Sequence, residues 1–277
     1  MVNTVSREKR LKKWLKRYFG MSVGSIVFNA VNYLLFLGFA FCMFYPFWYV
    51  VSHSLRSYTL IDDVPRLVYS FKAYVIVFGN SGLVTSFLLS VGVVLAHVVL
   101  HIIVTMLAAY PLSKRDLRGR TGILLFITFT MLFSGGLIPF YLLIRDIGLR
   151  DNILVYILPG VASGYNVIIA KNFVQSIPDS LTEAAKIDGA GEFTTLVRIV
   201  FPLSMPIIAT VALWAGVGKW NDWMTGMLYV TDPDMRMIQN FLRSILISAS
   251  STGQGGVDSD VMSMAEGVKM AAVVVSI

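Results

Sequence analysis

The long apolar runs decide what this chain can become. Residues 27–51, 83–110, 122–144, 153–170 and 203–220 are each almost free of charge. An α-helix rises about 1.5 Å per residue, so about 20 residues cross a bilayer core of about 30 Å. In lipid the backbone must satisfy its own hydrogen bonds, which makes runs of this kind helices. The fold class that follows is all-α, a polytopic bundle of membrane helices. Composition agrees: 56% of the 277 residues are hydrophobic and 14% are charged, against about a quarter charged in soluble domains. A chain of this length holds roughly five to seven spans with their loops.

A sixth run begins near Met262 or Val268 and reaches Ile277. From Ser263 onward it offers only about 22 Å of helix, too little to cross. The expectation is a last helix cut short, with a re-entrant helix as the alternative. Pro46 sits near the far end of the first run, where a kink is tolerated.

Charge orients the runs. The net charge of +7 comes from basic residues gathered between apolar segments, the pattern of cytoplasmic loops rather than of a nucleic-acid surface. Residues 1–26 form a basic amphipathic segment. Within "SREKRLKKWLKRYFG", Leu11, Trp14, Leu15 and Tyr18 share one helical face, and Arg10, Lys12, Lys13, Lys16 and Arg17 cover most of the rest. That suits an anionic leaflet. The run that follows is too long for a secretory signal peptide. The loop after the second run carries Lys114, Arg115, Arg118 and Arg120. Both basic segments are expected in the cytoplasm, two crossings apart, and two further crossings bring residues 171–202 to the same side. The other connections mix acidic and basic residues. The expected topology has six spans with the N-terminus inside.

The segment 171–202 contains "SLTEAAKIDGAGEF", which reads as a soluble helix. Ser180 with Glu183 has capping-box spacing, and Gly189 supplies a stop about two turns later. A second helical segment follows from Phe193 and ends at Pro202. A helix so short is marginal alone and needs a surface to pack against. Ala184 and Ala185 would let that surface come close. A short helix, a glycine turn and a longer helix make a knob suited to docking.

At these residues the sequence resembles the EAA loop of the inner-membrane permeases of ATP-binding-cassette importers. The motif elements are Glu183-Ala184-Ala185, Asp188-Gly189-Ala190 and Ile199-Val200-Phe201-Pro202, with Phe201 where the family usually has leucine. "LAAYPLSKRDLRGR", "FSGGLIPFYLLIRDIGL" and "YNVIIAKNFVQSIPDSL" resemble the carbohydrate-uptake, maltose-transporter-type branch that handles complex oligosaccharides. The resemblance covers about residues 83–277, the core permease domain within a transmembrane region of 27–277.

The resemblance implies a bacterial cytoplasmic-membrane protein that pairs with a second, homologous permease above two ATPase subunits. An extracytoplasmic solute-binding protein would deliver the sugar. Glu183, Ala184, Ala185, Asp188, Gly189 and Ala190 would couple the chain to an ATPase. ATP and Mg would sit on those ATPases, with no cofactor on this chain. The chain's own residues agree with that division. Gly218-Lys219 lacks a Walker A context, because Leu213 and Trp220 occupy the positions where a glycine and a Ser or Thr are needed.

Candidates for the substrate pathway are polar or aromatic groups at membrane depth or at a span end: Tyr165, Asn166, Trp220, Asn221 and Trp223. An unpaired polar group in lipid is costly, so such a group lines a cavity or pairs with a neighbour. "KWNDW" also reads as an interfacial aromatic belt. Asn29 and Asn32 raise the same question in the first run. Cys42 reads as a small buried hydrophobe, and a single cysteine allows no disulfide within the chain. His97 and His101, at i, i+4, have the spacing of metal or haem ligands, the alternative being helix–helix hydrogen bonds. A membrane enzyme built on those histidines, or a receptor signalling through the short helix, are the two other functional classes. The long motif favours the permease.

Overall fold

The computed structural model describes residues 23–61, 64–79, 81–252, 267–268 and 270–275. Most of the basic segment 1–26 and the Ser/Gly-rich stretch 253–266 lie outside them. The described residues fall into two compact units, one on either side of a division between Tyr74 and Val75, with the described residues from 267 onward belonging to the first.

In the first unit, α1 (Val23–Ser54) is one uninterrupted helix over the expected first span, with Pro46 inside it. None of its membrane-length window is buried. Phe28, Leu34, Phe44 and Trp48 all stand exposed, and so does Cys42, which was expected to be buried. Cys42 lies within that unburied stretch, so small size does not bring a residue inside.

The polar connection after it is not irregular. It forms an antiparallel hairpin of β1 (Arg56–Ile61) and β2 (Val64–Tyr69), in register from Arg56↔Tyr69 to Ile61↔Val64. Among the described residues this is the one addition to an otherwise helical fold. The Ser54 hydroxyl and the Tyr74 hydroxyl are 2.7 Å apart and share a hydrogen bond at the foot of α1. A helix α2 (Lys72–Gly79) leads into the second unit.

The second unit is organised around α3 (Ser81–Ser113), which matches the expected second span. Its inward face carries Val93, His97, His101, Met106, Ala109 and Tyr110. Near one end Met106, Ala109 and Tyr110 pack against Ala170 and Val174 and against Ile207, Ile208 and Val211. Farther along, Val93 joins Ile144, Val155, Tyr156, Tyr229 and Met237. Helices in lipid associate through such packing and through hydrogen bonds, without a hydrophobic drive between them, so small residues gather at their crossings. Gly164 is one. A Cβ there would lie 2.9 Å from Ile127 Cγ2 and 3.0 Å from Met131 Cγ.

The third, fourth and fifth apolar runs depart from the expected straight spans. The third is two helices, α4 (Arg120–Leu132) and α5 (Leu137–Asp146), bent by 109°. The break falls at Ser134-Gly135-Gly136. Gly136 takes φ +87°, which a side chain would resist, and its N–H donates to Ser134 Oγ. The fourth holds a single turn, α6 (Leu154–Ile157), then a loop through Pro159 and Gly160, then α7 (Gly164–Val174). Proline ends the first piece because it cannot continue the ladder. The fifth is α11 (Met205–Trp220), set at 80° to the helical segment before it, with the bend at Ser204. Among the described residues, two helices are long and apolar enough to cross a membrane alone, or up to four if each bent pair counts as one span. Residues 270–275 are helical.

Candidate functional site

The knob of residues 178–204 is built from three local decisions. Pro178 caps α8 (Asp179–Ile187) without any side-chain hydrogen bond. Proline and an acidic first turn both suit a helix start. The expected capping box is therefore corrected, because Ser180 already lies inside the helix. Gly189 ends α8 as expected, at φ +79°. Its N–H donates to Lys186 O at 3.0 Å, and the Ala190 N–H donates to Ala185 O at 2.9 Å, which together form a Schellman motif. The chain then turns into α9 (Glu192–Thr195), one π-helical turn (Leu196–Val200) and α10 (Phe201–Leu203).

The faces of α8 divide cleanly. Ala185 is buried against its own chain. It fixes the helix to the bundle and is not free to meet a partner. Ala184, Asp188 and Gly189 are exposed and Ala190 is half-buried. Glu183 is exposed and makes no ion pair among the described residues. Beside them stand apolar side chains in the open: Leu181, Phe193 at 71% and Ile187 at 87% exposure. This face therefore mixes exposed apolar side chains with carboxylates.

Glu192 ties this knob to α3. The Lys114 ammonium and the Tyr110 hydroxyl both donate to its Oε2, the hydroxyl at 2.6 Å. Lys186 of α8 stands 3.4 Å from Oε1. Hydrogen bonds from Lys114 first, then from Tyr110, hold the Glu192 carboxyl down at about 2. Gln175 Nε2 adds a bond to Ser113 O at 2.8 Å, joining the end of α7 to the end of α3. A polar hollow of about 350 Å³ lies behind α8, lined by Lys114, Arg115, Gln175, Glu183 and Lys186 among others. Glu192, Tyr110 and Lys114 were not singled out from the sequence. Their signal was there: Tyr110 and Lys114 are i, i+4 at a helix end, and Glu192 stands two residues after the Asp-Gly-Ala turn.

The two histidines are helix staples. His97 Nδ1 lies 2.8 Å from Ile157 O, and His101 Nε2 lies 2.8 Å from Asn166 Nδ2. They hold the two pieces of the broken fourth run onto α3. Among the described residues no cluster of three His, Cys, Asp or Glu could bind a metal. The expected pathway residues receive different settings. Asn166 is buried, with its amide nitrogen against His101. Tyr165 is half-exposed, its ring 5.9 Å from that of Trp214, a partner not foreseen. Trp220 meets Phe87 edge-on at 5.8 Å. Asn221 is exposed and donates to Val217 O. Trp223 opens α12 (Trp223–Tyr229) under the Arg243 guanidinium at 3.7 Å. Between Trp220 and Trp223, Asp222 caps α12 and pairs at 2.9 Å with Lys219, which is buried. At the break in the third run a second hollow of about 540 Å³ opens, lined by Ser134, Gly136, Phe140 and Tyr229 among others.

Known proteins resemble this chain over most of its length. Residues 4–277 match the model of the binding-protein-dependent transport system inner membrane component, well beyond the 83–277 expected from motifs. The polygalacturonan/rhamnogalacturonan transport system permease protein YtcP of Bacillus subtilis is 37% identical over 90% of each chain. Protein LplC of the same organism is 35% identical over 90% of this chain and 86% of its own. The crystal structure of a bacterial ABC transporter that imports the acidic polysaccharide alginate holds a chain that superposes with a TM-score of 0.81, at 29% identity over 92% of this chain and 93% of that one. A chain in the alginate transporter bound to its pentasaccharide-loaded periplasmic protein gives 0.54 at 15% identity, over 96% and 94%, a likeness of fold. This chain belongs to the family of binding-protein-dependent transport system inner membrane components, the non-catalytic permease subunits of ABC importers.

Proposed function

We propose that this permease forms one half of an oligosaccharide pathway and takes its drive from ATPases through the knob. The observation that carries the coupling is the outward face of α8 and its turn. Ile187 and Phe193 are exposed there, and burying each in a groove stabilises a complex by about 1.5–3 kcal/mol. Ala184 and Gly189 leave room for close approach, and Glu183 and Asp188 offer carboxylates at the edge. ATP and Mg belong to two partner ATPases, since this chain has no phosphate loop. A second, homologous permease completes the pathway and an extracytoplasmic solute-binding protein loads it. The chain lies in a bacterial cytoplasmic membrane, crossing six times with residues 1–26 and the knob inside, as its basic residues favour.

The substrate class we assign is an acidic oligosaccharide. YtcP is named for polygalacturonan and rhamnogalacturonan, and the solved importer takes an acidic polysaccharide. Tyr165 with Trp214 offers aromatic faces for sugar rings, and Asn221 with Trp220 a polar and aromatic rim. Asn166 and Trp223 serve as supports behind that surface.

Gentle extraction of the tagged chain, followed by mass spectrometry, tests the assembly: a second permease and an ATPase should come with it. Ile187→Asp should cut ATPase retention about tenfold or more, the cost of placing a carboxylate in an apolar groove. Undiminished retention would sink the docking face.

A further inference from the structure

We infer that Glu192 is a positioning residue that transmits motion of the knob into α3. The inference rests on the coupling reading above. The docking face centres on α8, a short helix that must pass its motion on to the bundle. Leu196 and Val200 pack the knob into the apolar cluster of α3, and one carboxylate adds a directional polar tie. Glu192 faces Lys186 on α8, and it takes hydrogen bonds from Tyr110 and Lys114 at the end of α3. Charge-assisted bonds are roughly twice as strong as neutral ones, and two donors, Tyr110 in the last turn of α3 and Lys114 just past its end, fix direction as well as distance.

Beyond Lys114 and Tyr110, α3 is a single helix as far as Ser81. Along it His97 holds the end of α6, His101 holds α7 through Asn166, and the Ser90 hydroxyl accepts from the Ile238 N–H at 2.8 Å. A push on Lys114 and Tyr110 therefore reaches the broken fourth run and the segment after α12 through one rod. Without Glu192, the knob keeps its docking face and the apolar packing of Leu196 and Val200, and loses its polar tie to that rod.

The test uses the whole importer in proteoliposomes, with a partial digest of polygalacturonan as the transported probe. ATP hydrolysis and uptake are measured on the same vesicles, so that their ratio is independent of how much complex folded. Glu192→Gln should retain the ATPase subunit and most hydrolysis, with uptake per ATP falling about tenfold, the scale of losing charged hydrogen bonds. Glu192→Asp should recover part of the ratio. Tyr110→Phe, which removes one donor and little else, should lower it about twofold to fivefold, and decides the matter if Glu192→Gln does not assemble. An unchanged ratio in the assembled variants overturns the inference while leaving the docking reading intact. A wild-type complex that retains no ATPase overturns the docking reading itself.

Discussion

α1 and α3 are nearly the same helix on paper. One has 32 residues and the other 33, both are strongly apolar, and each is long enough to cross a bilayer. Their surroundings are opposite. None of the membrane-length window of α1 is buried, against 22% for α3. The distinction lies in the few polar side chains. On α3, Ser86, Ser90, His97, His101 and Thr105 are all buried, and three of them bond to the backbone or to another helix. On α1, Asn32 stands exposed. Hydrophobicity therefore says that a segment crosses the membrane. Where polar groups line one side of it, they say that it stands at the centre of a bundle.

The comparison breaks most readily at the core. Met106→Ala on α3 removes a side chain packed against three other segments, and the cavity left should cost about 2–4 kcal/mol. Leu34→Ala on α1, where Leu34 is 75% exposed, should cost under about 0.5 kcal/mol within this chain. Thermal unfolding of the two variants in the same detergent separates them. Equal losses would mean that α3 is no more central than α1.

A smaller effect sharpens the point about polar residues. His101→Leu removes the bond to Asn166 and leaves that amide buried without its partner. Hydrogen bonds between membrane helices average about 0.6 kcal/mol and reach about 1.7, and the orphaned amide places this one toward the upper end. Asn32→Leu on α1 should be neutral or slightly stabilising. Added zinc or haem should change neither variant nor the wild type, and a metal-dependent rise in melting temperature lost in His101→Leu would revive the enzyme reading.

These helices also mark how far sequence carries. Straight spans were legible because α1 and α3 contain no interior Gly-Gly or Pro-Gly break, and Pro46 and Pro111 are accommodated. The breaks in the third, fourth and fifth runs were written just as plainly, in Ser134-Gly135-Gly136, Pro159-Gly160 and the prolines at 202 and 206. Apolar content outweighed them, since lipid and a protein interior select the same side chains. The knob was legible because it is soluble sequence, where Gly189 and the motif act locally. Its start was misplaced by one residue's logic, the hydroxyl of Ser180 standing in for the ring of Pro178. Glu192 was not legible as a clamp, because its partners at the end of α3 lie some eighty residues earlier and the packing of α7 and α11 against α3 brings them together.

The smallest effect concerns that clamp and reads through pH. In the folded chain the Glu192 carboxyl is held at about 2 by Lys114, Tyr110 and Lys186, whereas in an unfolded chain it titrates near 4.3. A depressed carboxylate adds stability that is fully present above the unfolded value and is lost as pH falls toward the folded one. Wild type should therefore exceed Glu192→Gln in melting temperature at about pH 6, and the gap should close progressively below about pH 4.5. The side chain is 56% exposed, so solvent screening keeps the gap small, and salt should narrow it further. A gap that stays constant from about pH 6 to about pH 3 would show that the glutamine variant suffers from altered packing rather than from the missing charge. In that case the attachment of the knob to α3 would rest on Gln175 and the apolar contacts of α7, and α3 would owe its central place to packing alone.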